Sequence, residues 1–142
     1  MRHLILSGLA AMILATPVVA GTPVCDPNPR RTVEDFETAK DALLRGEFDR
    51  FFDAVQPFDR AADPSRLRAV QRFENTFPNG FRECASVVFR SEAPGLFQEI
   101  VLYDTGAQPL ALYLRGARFR DEIRVIDFVL SDSPTEVVNL LQ

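Results

Sequence analysis

The step Pro78-Asn79-Gly80 divides this chain into two stretches with different hydrophobic periods, and that change constrains the fold more than any other feature. Before it, apolar residues recur at helical spacing. Phe36, Ala39, Leu43 and Leu44 fall on one stripe, so the spacing predicts a helix over 33–45, capped by Thr32 and stopped at Gly46. Phe48, Phe51, Phe52 and Val55 predict a short second helix running toward Pro57. Asp63-Pro64 reads as a cap with proline at the first helical position, and Leu67, Val70 and Phe73 extend a third helix over 64–75.

After Gly80 the period becomes alternating, as in pleated strands. Four runs are expected at Phe81 to Arg90, Leu96 to Asp104, Leu110 to Arg115 and Glu122 to Leu130. The breaks between them are Ala93-Pro94-Gly95, Thr105 to Gln108, and Gly116 to Arg120, short enough to favour an antiparallel meander. Ser133-Pro134-Thr135-Glu136 has the form of a capping box ahead of a short terminal helix. Helices first and strands afterwards make an α+β domain, with N-terminal helices packed on a curled four-stranded antiparallel sheet.

Residues 1–20 form a secretory signal: Arg2 and His3 carry the positive charge, Leu4 to Ala15 is apolar, and Ala20 precedes the expected cut. An apolar run that short does not span a hydrocarbon core needing about 20 residues, so no stable membrane anchor is expected. The reading is therefore of a periplasmic or secreted protein. Its parts are the signal, a proline-rich extended leader over 21–31, and a single domain over 32–142. Cleavage takes Arg2 away and leaves 15 basic against 20 acidic side chains, a mildly acidic balance that argues against nucleic acid as a partner. Lys40 is the only lysine, which reads as a compositional habit.

Export places Cys25 and Cys84 in an oxidising compartment, and a structural disulfide between them is the expectation. The only histidine, His3, leaves with the signal. Without it there is no Ser-His-Asp triad and no Cys-His pair, and a zinc site would rest on carboxylates alone. No glycine-rich phosphate loop or calcium-loop spacing is present, so neither a cofactor nor a metal is expected.

Sorted by parity, one set of strand residues is nearly all apolar: Ile100, Leu102, Leu110, Leu112, Leu114, Ile126, Phe128 and Leu130. This set is expected to face the helices. The other set holds Glu99, Val101, Tyr103, Ala111, Tyr113, Arg115, Val125, Asp127 and Val129. The two sets pair this way only if the middle hairpin loop has an odd number of residues, because a slip of one exchanges the faces. The mixed set reads as a half-wet sheet surface, as a self-association surface, or as the wall of a pocket. Its candidate ligand or interface residues are Glu99, Tyr103, Tyr113, Arg115 and Asp127. Asp127 stands out because it interrupts an apolar run between Ile126 and Phe128.

The element order, together with the segment Leu43-Leu44-Arg45-Gly46-Glu47-Phe48-Asp49-Arg50-Phe51-Phe52, resembles the nuclear-transport-factor-2-like, cystatin-like α+β superfamily. The run from Asn79 to Asp132 is similar to small exported domains of that superfamily. The resemblance implies a cone-shaped domain with a cavity between helices and sheet, and a homodimer through the outer face of the sheet. It implies no catalytic residue at any particular position. Phe36, Phe48, Phe51, Phe52, Phe58 and Phe73 would roof such a cavity or form a plain core. The expected function is non-catalytic binding of a small apolar ligand or a protein partner. The alternative is an isomerase or dehydratase type of enzyme with Asp127 or Glu99 as base and Tyr103 or Tyr113 as hydrogen-bond donor.

Overall fold

The computed structural model describes residues 24–25, 32–55 and 64–141. The signal at 1–20, most of the leader and Phe58 lie outside the described residues. Three helices come first: α1 (Glu34–Arg45), α2 (Phe48–Val55) and α3 (Pro64–Thr76). Four strands follow, β1 (Cys84–Ala93), β2 (Leu96–Tyr103), β3 (Leu110–Phe119) and β4 (Glu122–Ser131), and then the short α4 (Pro134–Asn139). The strands pair in chain order as an open antiparallel meander, so the α+β class read from the sequence holds.

Helix α1 opens one residue later than its expected cap. Val33 is the N-cap and makes no side-chain bond, while Glu34, Asp35 and Glu37 place negative charge in the first turn. Its far end is closed by Gly46, whose φ of 75° lets the backbone turn back so that Glu47 N–H reaches the carbonyl of Ala42 at 2.9 Å. Gly80, with φ 67°, lies against this same turn, and a Cβ on Gly46 would meet Gly80 N at 2.8 Å. Phe81 N–H then donates to the Leu44 carbonyl at 2.8 Å. The end of α1 and the entry to the sheet therefore touch backbone to backbone, which only glycine permits at either position.

The register corrects the parity expected from the sequence. Tyr103 pairs with Leu110 and Val101 with Leu112, across a loop, 104–109, that holds an even number of residues. That even loop shifts β2 by one face relative to β3. Glu99, Val101 and Tyr103 accordingly face the helices together with Leu110, Leu112 and Leu114, and Ile100 and Leu102 turn outward. In β4 the alternation breaks at a bulge: Arg115 pairs with Asp127 and Gly116 with Val125, leaving Ile126 unpaired. The bulge sends Val125 and Phe128 both inward and leaves Ile126, expected in the core, 44% exposed.

Strand β3 also runs past its expected end at Arg115 to Phe119, and the turn is a tight one at Arg120, φ 58°, and Asp121. Gly116, read as part of a break, is a strand residue buried under α1, where a Cβ would meet the Phe36 ring at 2.8 Å.

Two apolar clusters lie on opposite sides of the sheet. The larger joins Phe36, Leu43, Phe51 and Phe52 of the helices to Val101, Leu112, Leu114, Val125 and Phe128 of the strands. Aromatic rings interlock there, with Phe51 and Phe128 centroids 5.7 Å apart and edge to face, and Phe81 against Tyr103 at 5.2 Å. The smaller cluster seats Val137 of α4 on Ile100, Ala111 and Tyr113. The expected disulfide is present: Cys25 and Cys84 have Cα atoms 5.1 Å apart across 59 positions of sequence. Ser86 N–H donates to the Cys25 carbonyl at 2.9 Å, which ties this piece of the leader to the edge strand.

Candidate functional site

The candidate residues from the sequence do not share one face. Glu99 and Tyr103 lie inside, under α1, while Tyr113, Arg115 and Asp127 lie on the far side of the sheet. The expectation that all five line one surface is thus corrected, and the cause is the even loop between β2 and β3.

Inside, Glu99 meets a partner that sequence reasoning passed over. Lys40 Nζ donates to Glu99 Oε1 at 2.8 Å and to Glu37 Oε1 at 2.6 Å, with Lys40 and Glu99 both fully buried. Lys40 is four residues after Phe36 on the apolar stripe of α1, so the periodicity already placed the only lysine on the buried face. Two carboxylates sharing one ammonium leave an excess negative charge in the interior. Glu99 Oε2 has no hydrogen-bond partner, and burial pushes its carboxyl above the usual range against the opposing pull of Lys40 and the Ser86 hydroxyl. Tyr103 donates its hydroxyl to the Lys40 carbonyl at 3.3 Å. Burial, reinforced by Glu99, Glu37 and Asp41, raises the phenol well above its ordinary value.

Glu37 reaches further. Its Oε2 accepts a bond from Val24 N–H at 2.9 Å, next to the disulfide. The chain of contacts therefore runs from the leader through Glu37 and Lys40 to the middle of β2. As arranged, this group ties parts of the fold together: the carboxyl and the phenol are both enclosed, Glu99 engaged through Oε1 and Tyr103 through its hydroxyl.

Outside, the register sets Arg90, Gln98, Arg115 and Asp127 in one row across all four strands. Asp127 and Arg90 are exposed, whereas Gln98 is only 4% exposed. Gln98 Oε1 and Arg115 Nε are buried atoms without a hydrogen-bond partner. Tyr113 packs beside this row beneath α4. Burial raises its phenol, Arg115 lowers it, and Asp127 and Glu92 raise it. Arg90 Nη1 donates to the Leu141 carbonyl at 2.8 Å, latching the chain just after α4.

Two open grooves among the described residues lie elsewhere. One, of about 380 Å³, runs along Glu83, Ala85, Leu102, Asp104 and Pro109 near the disulfide. The other, of about 370 Å³, is lined mainly by Glu34, Asp35, Asp121, Glu122 and Arg124, and burial there raises the Asp35 carboxyl. Neither reaches Glu99 or Asp127. Among the described residues no cluster of three His, Cys, Asp or Glu side chains has the arrangement of a metal site. Among the described residues, too, no helix is long and apolar enough to cross a membrane. Compared with family models, with curated proteins and with solved structures, the chain matches none.

Proposed function

We propose that this chain is a non-catalytic binding domain that works outside the cytoplasm and engages a protein partner across the outer face of its sheet. One contrast carries the reading. On the helix side, among the described residues, interlocked phenylalanines and the Glu37–Lys40–Glu99 group pack between helices and sheet. On the other side, the β3–β4 hairpin leaves Ile126 44% and Phe119 55% exposed, with Asp127 next to Ile126 in the chain and Arg115 across from Asp127 in register. Apolar side chains rimmed by opposite charges are the composition of a protein-contact surface. The same contrast weighs against an isomerase-type reaction at Glu99 and Tyr103, since both groups are engaged within the core.

The export signal at 1–20 and the Cys25–Cys84 bridge support a periplasmic or secreted location. Helices followed by an open antiparallel sheet support kinship with the cystatin-like superfamily. Native mass spectrometry of the protein purified from its own cells tests the function. The expected species carries a second polypeptide, lost when Ile126→Asp is introduced and kept when Leu67→Asp is introduced on α3. A retained molecule of small mass, unaffected by Ile126→Asp, would replace this reading with ligand storage.

A further inference from the structure

Helix α4 has few means of holding its own shape. It is six residues long, well below the length at which a helix persists by itself, and its N-cap Ser133 makes no side-chain bond. What keeps it in place is its seat. Val137 is fully buried against Ile100, Ala111 and Tyr113, and Leu141, four positions on, packs on the same cluster. Arg90 closes the far end through the Leu141 carbonyl, and at the near end Ser131 Oγ links Ser133 N–H and Glu136. The sheet separates this cluster from the main core, so the seat and the core are packed independently.

We propose that the seat of α4 is a docking site for a short helix of a partner protein, and that α4 is its built-in competitor. The inference rests on the partner reading above and names the occupant more closely. The chain's own α4 displays the chemistry that fits: two aliphatic side chains four positions apart, matching Val137 and Leu141, and a main-chain carbonyl beyond the last turn for Arg90. Such a partner helix competes with α4 for the same three contacts, and α4 therefore sets a threshold of affinity for entry.

The full chain carrying Val137→Asp, and the unaltered chain, are mixed with a fluorescent synthetic peptide of residues 132–142, with anisotropy and hydrogen exchange as readouts. Val137→Asp is expected to speed exchange over 134–141 at least tenfold while β1–β4 stay protected, and to bind the peptide at least tenfold more tightly than the unaltered chain does. Adding Arg90→Ala to this receptor is expected to weaken peptide binding several-fold. If Val137→Asp disrupts the sheet, Leu141→Ser, which loosens only the end of α4 and keeps Arg90 for the peptide, serves as the receptor. An unseated α4 with no peptide binding, or equal binding by both chains, overturns the proposal. The partner retained in native mass spectrometry is expected to displace the peptide. A partner that binds and leaves the peptide in place overturns the helix-in-seat assignment while sparing the outer-face reading.

Discussion

The two sides of the sheet solve the same problem, burying polar groups among apolar ones, in opposite ways. On the inner side Glu99 is enclosed and its charge is met by Lys40, which is itself shared with Glu37. On the outer side Asp127 is exposed to water, while its register partner Arg115 is half-buried with its Nε enclosed and unpaired. Two acidic residues on alternating strands thus have unlike consequences, and what separates them is which way the pleat turns. The inner group ties three parts of the chain together, while the outer group leaves the surface adaptable.

The comparison breaks most easily at Lys40. Lys40→Met leaves Glu99 and Glu37 without their shared cation and is expected to cost about 3–5 kcal/mol, the range for removing one partner of a buried pair. Chemical denaturation measures it, and a loss below about 1 kcal/mol would show that the interior is far wetter than its burial implies. Next is the bridge that holds the leader to β1. Replacing Cys25 and Cys84 together by serine is expected to cost about 2–4 kcal/mol, since the bond closes a long loop. The Ser86 amide, which bonds Cys25, should then lose protection from exchange first.

Glu99→Gln sharpens the contrast through pH. The folded-state pKa of Glu99 is raised above the ordinary 4.5, so folding is favoured with the proton on. That contribution is fully present below the unfolded pKa and is lost as pH rises through the folded value. The stability of Glu99→Gln relative to the unaltered chain is therefore expected to climb as pH rises from about 4 toward neutrality. A relative stability that falls over this range would show that the Lys40 pair outweighs its burial. The smallest effect belongs to the outer face: Asp127→Asn is expected to change stability by less than about 0.5 kcal/mol at any pH between 5 and 8.

Much of this molecule is legible in its sequence. The change of period at Gly80 gave the order of elements, because 3.6 and 2 are set by local backbone geometry. Export chemistry gave the disulfide. The site was less legible, for reasons that are not local. Whether Tyr103 sits beside Leu110 or one residue away depends on how the 104–109 loop closes, and that choice decided the face of Glu99. The bulge at Ile126 reverses parity inside a strand whose alternation looked continuous. Lys40 lies on the apolar stripe of α1 by spacing, but its being the only lysine reads as a compositional habit, and nothing local says that a lysine there is buried. The terminal helix was visible as a capping pattern, although its Ser133 makes no side-chain cap, and nothing near it in sequence says which side of a sheet it will cover.

The abutment of Gly46 and Gly80 brings the two ends of the stretch between them together backbone to backbone, and α2 is fastened to the body a second time through Phe51 and Phe52 against Phe128. Because the Phe81 to Leu44 bond joins α1 directly to the entry of the sheet, a side chain added at Gly46 or Gly80 is expected to disturb both elements at once.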